Sequence, residues 1–246
     1  MEAELLLGTQ LGWITENEDV RIEERDLLLF GFLLEMKVAT RTSMKAYLDS
    51  VMDSIQGERG FYNRVLKLQK SGFLVSKPIP HTNQLYYKLG SEGYKSLKYS
   101  RDHRSLPRFK SRYQSQNLRH DLTLTFLRTQ FLISGECQTW VSENRIRAQF
   151  PFTKNWEKKH LPDAIYIDRD DQAVALEFEI ARKSTPRYKE KIDNYVNTIS
   201  SRFDEDLKIS KVHFICLDSQ VRDRLTDLTL GMSDLFEVEG LNVYTQ

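Results

Sequence analysis

The sequence predicts an α/β chain, α+β overall, and three patterns carry that reading. Between residues 24 and 71 apolar residues recur at helical spacing in three runs, and two strand-like runs follow around the turn His81-Thr-Asn83. Between Leu161 and Ile180 two apolar segments flank the polar turn Arg169-Asp170-Asp171-Gln172, and the second alternates with a period of two. Beyond residue 185 helical and strand patterns succeed each other, as in a sheet layered with helices.

Composition sets the limits. At 246 residues, 40% hydrophobic and 29% charged, the chain can bury one large core or two small ones. No apolar run approaches the ~20 residues that span a membrane. The start, Met1-Glu-Ala-Glu, lacks the basic region of a secretory signal. Cys137 and Cys216 are far apart and read as buried thiols of a reducing compartment, so a cytoplasmic location is expected. The net charge of +1 is unevenly spread, with an acidic N-terminal stretch and a basic block from Lys95 to Arg119. That block holds Arg104, Arg108, Lys110 and Arg112, interleaved with Tyr94, Tyr99, Phe109 and Tyr113. It suits phosphate contact with base stacking; a solvated linker is the plainer alternative.

Residues 1–23 read as an N-terminal arm that packs on its own domain or on a second subunit, leaving a homodimer open. Residues 24–99 hold a helix from Glu24 to Met36, one capped by Thr40 and Ser43, and one from Glu58 to Ser71 that Gly72 ends. The strands Phe73–Pro80 and Gln84–Leu89 and a closing helix from Ser91 complete a winged helix-turn-helix. Its third helix would enter a DNA groove, with Arg59, Asn63, Arg64, Lys67 and Lys70 as contacts and Lys77, His81 and Asn83 on the wing. Residues 100–116 form a basic linker, and 117–246 a second domain opening with a helix that carries His120.

In that second domain Thr139-Trp-Val-Ser-Glu143 reads as a strand end, with Arg145 and Arg147 beside it. A loop bearing Lys154, Lys158 and Lys159 precedes Leu161-Pro-Asp163. In Ala173-Val-Ala-Leu-Glu177-Phe-Glu179-Ile, alternation puts both glutamates on one face. With Asp163 at the neighbouring strand's start they make a hard-oxygen set suited to Mg²⁺ or Mn²⁺; a merely solvated face is the alternative. A helix from Thr185 to Phe203 follows, with Lys189, Lys191 and Tyr195. Lys211–Leu217 reads as an apolar central strand, Val221–Leu230 as a helix and Leu235–Val243 as a last strand or pair of strands.

The ordered set His120-Asp-Leu, Trp140-Val-Ser-Glu143, Pro162-Asp163-Ala164, Glu177-Phe-Glu179 and Lys191-Ile-Asp-Asn-Tyr195 resembles the PD-(D/E)xK nuclease superfamily. More narrowly it is similar to the replication-relaxation family and the related MobC-type plasmid relaxases. The resemblance implies a restriction-endonuclease-like α/β domain that nicks DNA with Mg²⁺ or Mn²⁺. Asp163, Glu177 and Glu179 would be the metal ligands, and Lys191 or Lys189 would support the nucleophile, with Lys183 a weaker candidate. His120, Glu143 and Tyr195 complete the catalytic candidates. The superfamily's E-x-K lysine is Glu179 here, so a lysine must arrive from the following helix. The implied substrate is an origin-type sequence, duplex or single-stranded, in plasmid mobilisation or replication, alongside plasmid-processing proteins and without a membrane partner. Two other functions stay open: a non-catalytic winged-helix regulator on a degenerate nuclease fold, and a nuclease of mobile-element defence or transposition. The five histidines lack the spacing of a metal-binding cluster for covalent tyrosyl relaxation. No Walker, Rossmann, zinc-ligand or G-x-S-x-G pattern occurs.

Overall fold

A computed structural model describes residues 20–52, 57–100, 106–113, 115–149, 161–200 and 209–244. Most of the N-terminal arm, Arg104 and the lysines Lys154, Lys158 and Lys159 lie outside that set.

The first part runs α1 (Glu24–Met36), β1 (Ala39–Thr40), α2 (Arg41–Val51), α3 (Glu58–Lys70), β2 (Leu74–Pro78), β3 (Leu85–Leu89) and α4 (Ser91–Ser100). Thr40 caps α2 as its hydroxyl pattern predicts, accepting the Ser43 N–H at 3.1 Å. Gly72, at φ +76°, ends the third helix. Its N–H donates to the Gln69 carbonyl and that of Phe73 to the Leu68 carbonyl, a paired closure that needs a left-handed residue. The three strands form an antiparallel sheet in the order β1-β3-β2. Two residues carry no readable alternation, so the sequence analysis missed β1.

Arg64 departs from expectation. Rather than facing outward with its α3 neighbours, its Nε donates to Asp26 Oδ1 at 3.0 Å and its Nη2 to both Asp26 and the Arg21 carbonyl. Asp26 is buried at the start of α1 and also accepts the Glu23 N–H at 2.8 Å. The guanidinium therefore joins α3 to α1, because a buried carboxylate demands a counter-charge.

The second part runs α5 (Leu118–Ser134), β4 (Thr139–Ser142), α6 (Glu143–Gln149), β5 (Ala164–Ile167), β6 (Ala173–Glu179), α7 (Thr185–Ser200), β7 (Ile209–Cys216), α8 (Ser219–Leu228) and β8 (Phe236–Gly240). Its five-stranded sheet has the order β4-β5-β6-β7-β8, antiparallel up to β6 and parallel beyond it. The expected hairpin is present, with Ala164 opposite Leu176 and Ile167 opposite Ala173. The strand predicted as central, β7, stands one place off centre, beside β6. The chain is thus α+β. Among the described residues no helix is long and apolar enough to cross a membrane.

Helices cover both sheet faces. On one, Val174, Leu176 and Phe178 pack with Leu124, Leu127 and Phe131 of α5, in a cluster that continues into Phe30, Leu33 and Leu34 of α1. On the other, Ile165, Ala175 and Phe214 pack with Tyr188, Ile192 and Tyr195 of α7 and with Val221 and Leu225 of α8. Each such side chain contributes about 1.5–3 kcal/mol on burial. Glu35 also joins the parts, pairing with Arg128 at 2.8 Å and Arg145 at 3.0 Å. The segment read as a linker is held by contacts of its own. Phe109 stacks on Tyr94 with centroids 4.8 Å apart, and the Tyr113 hydroxyl donates to Asp121 at 2.7 Å. Of the aromatics read as base-stacking, only Tyr99 stands fully exposed.

Replacing Arg64 with Leu strands the Asp26 carboxylate, and we expect a loss of about 3 kcal/mol in urea denaturation. Lys67→Leu, on the exposed side of the same helix, should stay within about 0.5 kcal/mol.

Candidate active site

Asp163 immediately precedes β5, where the hairpin ladder holds it: its N–H donates to the Leu176 carbonyl and its own carbonyl accepts the Glu143 N–H. Its Oδ2 accepts the Phe178 N–H at 2.9 Å, which fixes the carboxylate against β6 midway between Glu177 and Glu179. His120, in the first turn of α5, places Nε2 3.2 Å from the same oxygen. No hydrogen bond reaches Asp163 Oδ1 among the described residues.

Glu177 and Glu179 share a face of β6 as the alternation requires, but that face is not solvated. They are 4% and 1% exposed, because α7 lies over them. Lys191 on α7 donates to Glu177 Oε2 at 2.8 Å and to Glu179 Oε1 at 2.9 Å. The Tyr195 hydroxyl, one turn on, donates to Glu177 Oε1 at 2.6 Å, and Lys183 reaches Glu179 Oε1 at 2.8 Å. Helical geometry turns Lys189 about 200° away from Lys191, and it is exposed. Of the two lysines left open by the sequence, Lys191 is the one at the carboxylates.

The electrostatics divide the acids. Burial pushes Glu177 above its ordinary range, and the charge of Asp163 adds to that against the pull of Lys191 and Tyr195. Burial also opposes the charge on Asp163, but the hydrogen bond and charge of His120, with Lys191 and the Phe178 N–H, bring it below the usual carboxylate range. Burial disfavours the His120 cation, yet hydrogen bonds and charges from Asp121 and Asp163 push it up to about 10. For Lys191 the cost of burial is likewise outweighed by Glu177 and Glu179, and its pKa rises. Two neighbouring carboxyls of opposite tendency, beside two held cations, form an acid–base arrangement.

Glu143 stands further out. Its side chain pairs with Lys37 at 3.0 Å and with Arg147 at 2.7 Å; burial raises its pKa, but these cations bring it down overall. Lys37 also reaches Asp121 at 3.4 Å. A polar chain therefore runs Glu143, Lys37, Asp121, His120, Asp163. Lys37 and Asp121 are not legible in the sequence as members of this network. A lysine after a helix looks like a C-terminal cation, and only the adjacency of Asp121 to His120 gave a signal.

Among the described residues, the trio of possible metal-ligand groups that lies within 4.8 Å is His213, Glu237 and Glu239, on β7 and β8. Asp163, Glu177 and Glu179 do not gather as closely, because the Lys191 ammonium bridges the two glutamates. Their oxygens are nonetheless the donors that a hard divalent cation takes, and Asp163 Oδ1 is unoccupied by hydrogen bonds.

On α3, Arg59, Asn63, Lys67 and Lys70 are exposed, as are Lys77 on β2, His81 in the β2–β3 turn, and Arg108, Lys110 and Arg112 on the strap at residues 106–113. Of these candidates on α3, the β2–β3 turn and the strap, Arg64 turns inward, and Arg145, another basic residue suited to phosphate contact, is paired with Glu35.

A sequence model of the replication-relaxation family matches residues 30–212, from the middle of α1 to the first half of β7. The chain belongs to that family. The match includes His120, Glu143, Asp163, Glu177, Glu179, Lys191 and Tyr195. No curated protein and no solved structure matches the chain.

In this replication-relaxation protein, Lys191→Met leaves two buried carboxylates without their shared cation, and a loss of about 3 kcal/mol is expected in chemical denaturation. Lys189→Met should cost less than about 0.5 kcal/mol. A second pair gives a pH signature. The hydrogen bond with His213, against the opposing effect of burial and with help from Tyr244, holds Glu239 down at about 2. Its contribution is present above the ordinary value of 4.5 and is lost as pH falls toward about 2. The Tm difference between the unaltered protein and Glu239→Gln should shrink over that window.

Proposed function

We propose that this protein binds an origin-type DNA element and nicks one strand in plasmid replication or mobilisation. Family membership supports the setting. The element order of the first part, a three-helix unit followed by a β2–β3 wing, supports duplex reading through Arg59, Asn63, Lys67 and Lys70. The observation that carries the chemistry is Lys191, whose ammonium sits within 2.9 Å of both β6 carboxylates although Glu179 holds the usual lysine position.

In this reading Asp163 and Glu177 hold Mg²⁺ or Mn²⁺, which would polarise the phosphodiester and lower the pKa of a water nucleophile. Glu179 anchors Lys191 and Lys183. Lys191 supplies positive charge where the phosphoryl oxygens become more negative. His120 keeps Asp163 ionised and oriented, and Tyr195 fixes the rotamer of Glu177. A second reading rests on one specific observation. The three carboxylates already face three cations, His120, Lys183 and Lys191, so the cluster is charge-balanced as it stands. That suits a regulator that binds the origin without cutting it.

The test is supercoiled plasmid bearing the origin, incubated with Mn²⁺ or EDTA. Nicking should require the ion, be abolished by Asp163→Ala, and fall roughly 10²- to 10³-fold in Lys191→Met. Circular dichroism checks that both variants remain folded. Tight origin binding with no open circles under either Mg²⁺ or Mn²⁺ would sink the nicking reading in favour of the regulator.

A further inference from the structure

A cleft of about 360 Å³ lies where α1, β3, the strap and the start of α5 meet. Its floor is apolar, formed by Leu33, Leu34 and Leu89, and one wall is Phe109, held rigid by its stack on Tyr94. Five cations line it: Lys37, Lys88, Arg108, Lys110 and Arg112. The carboxylate in its lining, Asp121, already accepts from Tyr113 and Lys37 and faces His120. Arg108, Lys110 and Arg112 are exposed, and none is paired with a carboxylate among the described residues. Burial, with a smaller contribution from the charge of Lys77, lowers the pKa of Lys88.

An apolar floor beneath unpaired cations is chemistry for a ligand with a flat hydrophobic body and an anionic tail. The volume holds roughly one nucleotide and excludes a duplex, whose major groove alone is about 12 Å wide. Asn117, whose side chain makes no capping bond, adds an amide that suits a base edge, while Asn144 spends its Nδ2 on the Leu34 and Glu35 carbonyls. The position matters as much: the Asp121 wall is one residue from His120, which touches Asp163.

We propose that this cleft seats one nucleotide of single-stranded DNA next to the bond to be cut, its base on the apolar floor and its phosphates on Arg108, Lys110 and Arg112. This rests on the nicking reading for its purpose, but not for its test.

A short oligodeoxynucleotide carrying 2-aminopurine is titrated into the full chain in EDTA, so that binding is read whether or not the protein cuts. Emission should rise as the base leaves its stacked neighbours in the strand for the aliphatic floor. R108A/K110A/R112A should bind roughly 10- to 100-fold more weakly at low salt, with the salt slope reduced by about 2. Origin duplex binding through α3 should change far less and serves as the fold control. Unchanged emission in the bound complex, equal affinity of the triple variant, or displacement by inorganic phosphate as effective as by a deoxynucleoside monophosphate would overturn the assignment. Loss of nicking with these binding results intact would remove the proposed function and leave the cleft.

Discussion

Two carboxylates buried on the middle strand of a sheet are untenable alone, since moving a charge out of water costs several kcal/mol unless a partner is supplied. Glu177 and Glu179 impose that condition here, and α7 meets it with one ammonium. Much else follows. α7 must cross from β6 to β7 with Lys191 inward, which sets the helix rotation and brings Tyr195 onto Glu177 and Tyr188 and Ile192 onto the sheet. The apolar packing of this face and the polar cluster within it are therefore one arrangement.

The opposite end of the cluster is tied to the first part of the chain. Asp163 is fixed by the β6 backbone and by His120, while Asp121 and Glu143 share Lys37, contributed by the residue after α1. With Glu35 reaching Arg128 and Arg145, the first part and the acidic half are joined by charge as well as by the apolar cluster running from Phe30 to Phe178. Charge networks of this kind orient groups more than they stabilise, because desolvation offsets most of the Coulomb gain.

Periodicity made most elements legible: helix and strand spacings, the Gly72 stop and the hairpin at Asp168–Gln172 stand where the residues indicate. The shared face of Glu177 and Glu179 was legible for the same reason, since a strand's period is two. What covers that face was not, because burial depends on a helix arriving from further along the chain. Lys189 and Lys191 are equal in composition and close in sequence, and only the packed rotation of α7 separates them. Arg64 misled because a basic residue on a recognition helix looks like a DNA contact until Asp26, 38 positions away, is seen beneath it. In the strap the aromatic residues pack inward, Tyr113 anchored to Asp121 and Phe109 stacked on Tyr94, while Arg108, Lys110 and Arg112 stay exposed; which side chains of such a run face in depends on partners remote in sequence.

α1 has partners at both ends. Near its start Asp26 grips Arg64 of α3; just past its end Lys37 grips Asp121 and Glu143 beside the acids. A straight helix between those points measures roughly 17 Å, or about five steps along a DNA strand at 3.4 Å each. Under the proposed function, substitutions on the outer face of α3 would change which letters are read and leave the spacing to the cut unaltered. Lengthening α1 by a turn would shift the cut along the strand while the letters read stayed the same.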